Sequence, residues 1–315
     1  MASRRWPAAL ALALVLGACG GDVGVRTTSS AQTSPSPSNS TAAAFPLTLT
    51  DDDGVSVTID SAPHRIVTWA PSNTEILFAL GLGPRVVGVS GSFDNFPPQA
   101  TSLPSVAGEG GVTPDPEKVV ALDPDLVLNG FQGGDDWKRQ LRKLGIPVFS
   151  IYASTLDDAL HDIETVGAVT GMPDAATKLT AAMRGDIQRS LAPFLGQPKV
   201  SCFFEAYYPP LTTVGPHTFI YDVLEQAGCD PVSSTAGTDY AEWSVEKLVQ
   251  NGPAVYFAAS ESAASVAAVR GRPGFSGIGA VAGGRVFLID SDLITRPGPR
   301  VVEALLEVAM DLHPA

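Results

Sequence analysis

Basic residues are scarce in this chain. Twenty Lys and Arg stand against 33 Asp and Glu, a formal net charge of −13. Nucleic-acid binders draw their affinity from basic surface, so this balance excludes nucleic acid as a partner. Histidine is scarcer: His64 precedes a strand pattern, His161 falls mid-helix, His217 sits in a loop and His313 lies near the end. Four residues so dispersed do not converge on a bare zinc or manganese ion, so no metal-ligand set is expected. No Gly-x-Ser-x-Gly elbow and no phosphate loop ending in Gly-Lys-Ser/Thr occurs, and Gly88-Val89-Ser90-Gly91 lacks the spacing. Carboxylates are plentiful, but none pair in a pattern tied to a substrate. The chain is therefore expected not to be an enzyme, with no catalytic residue and no cofactor. Long apolar runs are also missing beyond residue 16.

The one apolar run, residues 8–16, follows Arg4 and Arg5 and is short for a bilayer span. A basic start, a short apolar core and small residues are the layout of an export signal. The run closes on Leu16-Gly17-Ala18-Cys19, which resembles the lipobox of bacterial lipoproteins. That resemblance implies cleavage before Cys19, lipidation of Cys19 and a protein anchored at the extracytoplasmic face of the cell membrane. An ordinary cleaved signal with a chance cysteine is the alternative. The Arg4-Arg5 pair leaves export by a twin-arginine route open, although Pro7 interrupts that context. Residues 1–18 are thus expected as signal peptide. Residues 19–45, rich in Ser, Thr, Ala and Pro, cannot bury a core and are expected as a flexible tether. Of the three cysteines, Cys202 and Cys229 remain in an oxidising compartment, either as a disulfide or as two buried thiols.

Alternation around Asp53-Gly54 predicts a hairpin over residues 47–59. The aspartates 51–53 lack the ligand spacing of a calcium loop and belong to its turn. From Arg65 onward short apolar runs at 66–69, 86–89, 126–128 and 148–151 alternate with helical patterns at 74–80, 117–122 and 137–144. That alternation predicts parallel sheet with helices on its faces. Residues 156–169 form a helix stopped by Gly171 and Pro173. Residues 174–195 repeat Ala175, Leu179, Ala182, Met183, Ile187 and Leu191 at helical spacing, a rod of about 30 Å. Strands at 200–204, 255–257 and 286–289 then alternate with helices at 219–226, 245–249 and 301–312. The expected fold is α/β: two Rossmann-like lobes with parallel sheets, 46–172 and 197–315, bridged by one long α-helix at 173–196.

An internal match supports this division. PEKVVALDPDLVL at 116–128 aligns without gaps on VEKLVQNGPAVYF at 245–257. Each is a short helix, a Pro-containing turn and a buried strand, once on each side of the long helix. Two related lobes leave a cleft between them, where ligands bind.

Several blocks resemble one known family. RIVTWAPSNTEILFALG at 65–81, the block 113–128 with its Asp-Pro-Asp-Leu-Val core, Arg272-Pro273-Gly274-Phe275, Gly284-Arg285-Val286-Phe287 and Arg296-Pro297-Gly298-Pro299-Arg300 are similar to the helical-backbone (class III) binding proteins of ABC importers for ferric siderophores and cobalamin. The resemblance covers roughly residues 45–312. It implies capture of a metal chelate, delivery to a membrane permease, small closure about a rigid helix, and a monomer. It further implies docking through one glutamate of each lobe, expected at Glu75 and Glu246. Glu75 also completes a capping box with Ser72, and Glu246 suits the dipole of its own helix.

A chelate is large, partly flat and polar at its edges, so aromatic faces and an arginine suit it. Ligands of open α/β sheets sit beyond the carboxyl ends of strands. The candidates there are Trp69, Phe93, Phe131, Tyr152, Tyr207, Trp243 and Arg296. Trp243 matches a ligand-contacting tryptophan of cobalamin binders, whereas Ala107-Gly108-Glu109-Gly110-Gly111 stands where those proteins have a second one. Siderophore, cobalamin and heme, the last through a tyrosine such as Tyr207, remain as ligands. A surface interaction lipoprotein without a small ligand is a further alternative.

Overall fold

The computed structural model describes residues 44–314. The signal, Cys19 and all but the last two residues of the expected tether lie outside the described residues. Among the described residues no helix is long and apolar enough to cross a membrane.

Strands β1 (Leu47–Thr50) and β2 (Ser56–Ile59) form the expected antiparallel hairpin, with Leu47 opposite Ile59 and Thr50 opposite Ser56. Its aspartates are structural anchors. The Asp51 carboxylate accepts from Val55 N at 2.8 Å, Arg142 at 2.9 Å and Ser150 N at 3.2 Å. Asp53 pairs with the ammonium of buried Lys138 at 2.7 Å. Burial raises the Asp53 pKa, but hydrogen bonds from Lys138, Ser150 and Tyr152 outweigh it and hold the carboxyl below its ordinary value.

The first sheet joins β3 (Ile66–Trp69), β4 (Val86–Gly88), β5 (Leu126–Asn129) and β6 (Val148–Ser150) in the order β4-β3-β5-β6, all parallel. Strands β3, β5 and β6 are buried throughout because helices cover both faces. Ile66, Leu126, Leu128 and Phe149 pack towards α1 (Pro71–Ala79) and α4 (Leu156–Thr170). Val67, Trp69, Val127 and Val148 pack on the other side, with Val119 of α2 (Pro116–Ala121) and Trp137 and Leu141 of α3 (Asp135–Lys143).

A capping box of Thr155 and Asp158 starts α4, and Gly171, at φ +79°, ends it. The long helix α5 (Pro173–Leu191) follows at once. At 19 residues it spans about 28 Å. It stops short of residue 196 because Pro193 lacks an N–H, and a 3₁₀ turn, Ala192–Phe194, takes over. The helix is also less free than a rod holding two halves apart. Ala176, Thr180 and Met183 are buried against α4 and α11 (Val301–Leu312). A Cβ on Gly167 would come within 2.3 Å of the Ala176 Cβ, so glycine permits this close α4–α5 approach.

The second sheet contains β7 (Val200–Tyr207), β8 (Thr212–Val214), β9 (Cys229–Pro231), β10 (Tyr240–Glu242), β11 (Val255–Ala259) and β12 (Val286–Ile289). Its order is β10-β8-β7-β11-β12, with β9 beside the start of β7. The run β7-β11-β12 is parallel as expected, whereas β8 and β10 are antiparallel. Only residues 208–211 join β7 to β8, too short for a parallel crossover. Helices α6 (Phe219–Gln226), α7 (Val245–Asn251), α8 (Val266–Arg270), α9 (Gly279–Ala282) and α10 (Ser291–Ile294) complete the lobe. Cys202 of β7 and Cys229 of β9 are disulfide-bonded, with Cα atoms 5.8 Å apart. One apolar cluster runs through α1, α4, α5, α6 and α11 and touches both sheets. The lobes thus share a core at their backs and part only in front.

Candidate functional site

The carboxyl ends of the parallel strands of the two sheets face each other across a cleft of about 440 Å³. In the first lobe β3 ends at Trp69, and Pro71 opens α1, where its fixed φ and missing N–H cost nothing. Strand β5 runs out through Gly130 to Phe131. A Cβ on Gly130 would fall 2.5 Å from the Ala70 Cβ, so only glycine lets these two strand ends come together. In the second lobe β11 ends before Ser260 and Glu261, and β12 before Ser291 and Asp292. The Ser291 hydroxyl accepts from Glu261 N at 3.1 Å, and the Ser260 hydroxyl accepts from Ser291 N at 3.0 Å, which ties the two loops together.

Four of the seven expected ligand residues meet in this cleft: Trp69, Phe93, Phe131 and Arg296. Phe93 and Phe131 are 59% and 50% exposed, although large apolar side chains normally hide. Phe131 meets the nearly buried Trp69 edge to face, with centroids 6.4 Å apart. The Asn129 side chain brackets the Phe131 backbone, donating to its carbonyl at 2.9 Å and accepting from its N–H at 3.2 Å.

The other three do not line the cleft. Trp243 is buried in the second lobe beside Phe203, with the Lys247 ammonium 3.5 Å from its ring centroid. Its Nε1 has no partner. Tyr152 points to the hairpin, where its hydroxyl donates to Asp53 at 2.7 Å and accepts from Asn129 at 2.9 Å. Tyr207 ends β7, exposed on the surface outside the cleft. The aromatic that does reach the cleft from the second lobe is Tyr240, three residues before Trp243. Within β10, Tyr240 and Glu242 flank Ala241 and share the exposed face of the strand, which is too short for its sequence to have announced that facing. Ser72, Ser90, Val112, Glu261, Ser291, Asp292 and Thr295 also line the walls.

Glu75 requires a correction. A docking glutamate must be exposed, yet Glu75 is 3% exposed. Arg300 grips it with two bonds, Nε to Oε2 at 2.8 Å and Nη2 to Oε1 at 2.6 Å, and Arg296 donates to Oε1 at 2.9 Å. Both arginines come from the opposite lobe. Glu246, by contrast, is exposed at the second position of α7. The residue matching it in the internal alignment is Glu117, exposed at the second position of α2. Both helices are capped by the preceding side chain, Asp115 and Ser244. Glu117 and Glu246 thus occupy equivalent exposed positions in the two lobes.

A larger groove of about 580 Å³ lies beside β2, near the amino ends of β5 and β6. It is lined by no aromatic residue and lies on the wrong side of the sheet for a ligand of this topology. Among the described residues no group of three or more His, Cys, Asp or Glu is placed to hold a metal ion.

Comparison with known proteins agrees with this geometry. Over 317 residues the chain is 31% identical to an ABC transporter substrate-binding lipoprotein of Bacillus subtilis, covering 98% of this chain and 96% of that one. It is 32% identical over 275 residues to a cobalamin-binding protein of Halobacterium salinarum, covering 84% and 73%. The crystal structure of the periplasmic vitamin B12 binding protein of Vibrio cholerae matches with a TM-score of 0.70 at 25% identity, over 80% of this chain and 97% of that one. The class III binding fold, two α/β lobes bridged by a long helix, is thereby shared with solved proteins. Residues 66–293 match the periplasmic binding protein family, and the chain belongs to it.

Proposed function

We propose that this protein is the lipid-anchored, extracytoplasmic receptor of an ABC importer and that it captures a corrin-type metal chelate in the inter-lobe cleft. The observation that carries the reading is the convergence of Trp69, Phe93, Phe131 and Tyr240 on one cleft at the strand ends of both lobes. Aromatic faces offer area to a broad, flat ligand, and the hydroxyls and carboxylates opposite suit its polar edge. A surface lipoprotein without a small ligand has no use for exposed phenylalanines gathered in a cavity.

Charge favours a corrinoid over heme. The charged residues lining the cleft are Glu261, Asp292 and Arg296. Arg296 is already committed to Glu75 and Asp292. Ligand carboxylates such as heme propionates would meet Glu261 with no spare cation to offset it, and like charges brought together disfavour binding. The acetamide and propionamide side chains of a cobalamin are neutral, and the single negative charge of its nucleotide phosphate is balanced by the cobalt centre. Heme also needs an iron ligand, and no histidine lines the cleft. The Bacillus and Halobacterium relatives support the importer and the corrinoid respectively. For docking, Glu117 and Glu246 are the exposed, internally matched pair.

The test is calorimetric titration of the full chain with cyanocobalamin, ferrichrome and hemin, with tryptophan emission followed in parallel. Saturable binding of cyanocobalamin, quenching Trp69, is expected, with hemin far weaker. Saturation by hemin alone with a sharpened Soret band would replace the reading with the heme alternative. Silence towards all three would remove the chelate.

A further inference from the structure

The ion cluster that buries Glu75 ends at the cleft itself. Arg296 donates through Nη1 to Glu75 at 2.9 Å and to Asn95 Oδ1 at 3.0 Å. Through Nη2 it donates to the Phe93 carbonyl at 2.8 Å and to Asp292. The amide nitrogen of Asn95 crosses back to Asp292. Arg300 pairs with Glu75 and lies over the ring of Phe96, 4.0 Å from its centroid. Glu75, Phe93, Asn95 and Phe96 belong to the first lobe, and Asp292, Arg296 and Arg300 to the second. The charges balance, two carboxylates against two guanidinium groups, and Glu75 and Arg296 are nearly buried.

The segment carrying Phe93 is tied at two points. Asp94 is buried and accepts from Thr74, from Ser90 and from Gly91 N, anchoring the segment to its own lobe. The Phe93 carbonyl and the Asn95 side chain attach it to the other lobe. Phe93, between these ties, is 59% exposed and projects into the cleft. A ring more than half exposed depends on its backbone for much of its position, and that backbone is held by Arg296.

We propose that Glu75 and Arg300 are positioning residues for ligand binding: they lock Arg296 across the lobe seam, and Arg296 sets the opening of the cleft and the place of Phe93. Glu75 then serves a clasp within the molecule and makes no contact with a permease. Removing its charge leaves the buried Arg296 and the partly buried Arg300 facing one carboxylate, which loosens the seam. Removing one arginine together with it restores the balance. The part of this inference that concerns affinity rests on the cleft being the chelate site.

The experiment compares the full-length protein with Glu75→Gln, Glu75→Gln/Arg300→Met and Asn95→Ala. Asn95 is exposed, so its variant breaks two ties across the seam without burying an unpaired charge. Hydrogen exchange of residues 91–97 in the ligand-free protein is the first readout, and cyanocobalamin affinity the second. Glu75→Gln is expected to speed exchange in this segment by about tenfold and to weaken cyanocobalamin by about 5–20-fold. The double variant should recover a measurable part of both effects, which a merely damaged fold would not do. Asn95→Ala should give a smaller loss, about 2–5-fold, in the same direction. Unchanged exchange in both Glu75→Gln and Asn95→Ala would overturn the clasp. If unmodified protein fails to bind cyanocobalamin, the proposed ligand falls while exchange still decides the clasp.

Discussion

The two walls of the cleft come from the same structural event, a parallel strand running out into a loop, yet they carry opposite chemistry. The first lobe presents Trp69, Phe93, Val112 and Phe131; the second presents Glu261, Ser291, Asp292 and Thr295, with Tyr240 its one aromatic. The second lobe is not short of aromatics: Phe203, Tyr208, Trp243, Tyr256 and Phe275 form a packed chain inside it. It keeps them as core, whereas the first lobe turns Phe93 and Phe131 out into the cleft while its Trp137 and Phe149 stay buried. Aromatic count along a sequence therefore says little about a site until the facing of each ring is known.

The largest effect that separates the walls is at tryptophan. Both rings are buried, but Trp69 borders the cleft from the first lobe's core, whereas Trp243 packs with Phe203 and reaches no part of the cleft. Trp243→Ala is accordingly expected to cost about 3–5 kcal/mol of stability, nearer the lower figure because its Nε1 is already unpaired. Urea unfolding measures it. A stable variant with weakened chelate binding would return Trp243 to the site and make the walls alike.

The lobes are alike at the starts of α2 and α7, and docking tests that symmetry. Glu117 and Glu246 occupy the second position of capped helices at matched places. Glu117→Lys or Glu246→Lys in cells should reduce cyanocobalamin uptake about tenfold each, with affinity in the purified protein unchanged. Rim charges act on encounter and orientation, so reversal should hurt more than neutralisation. Full uptake by both variants would leave docking to other residues.

The parallel strands were legible because buried runs such as 126–128 and 255–257 stand between turn residues and recur in the internal match. The long helix was legible from its spacing, and its early stop was written in Pro193. The antiparallel edge was not foreseen, since β8 and β10 are three residues long and too short for a pattern. At the site, backbone position was predictable and facing was not. Trp69 and Phe131 follow strand ends directly and reached the cleft; Trp243 stands three residues beyond the residue that does. The burial of Glu75 depends on Arg296 and Arg300, more than 220 residues away in the chain. No local pattern around Ser72-Asn73-Thr74-Glu75 announces such a partner.

Tyr240 gives the smallest and sharpest test of the contrast. It is the lone aromatic on a polar wall, 60% exposed, and it carries a hydroxyl that the first lobe's rings lack. If the wall works through polar contacts, Tyr240→Phe should lose as much cyanocobalamin affinity as Tyr240→Ala. If the ring extends the aromatic surface across the seam, Tyr240→Phe should bind within about twofold of the unmodified protein, and Tyr240→Ala should lose about 3–10-fold. The second outcome is expected, because among the described residues no partner holds the hydroxyl in a fixed direction, while the ring lines the cleft that Phe93 and Phe131 enter from the other side. Equal losses in the two variants, measured by calorimetry, would show that the second lobe recognises its ligand by hydrogen bonding alone.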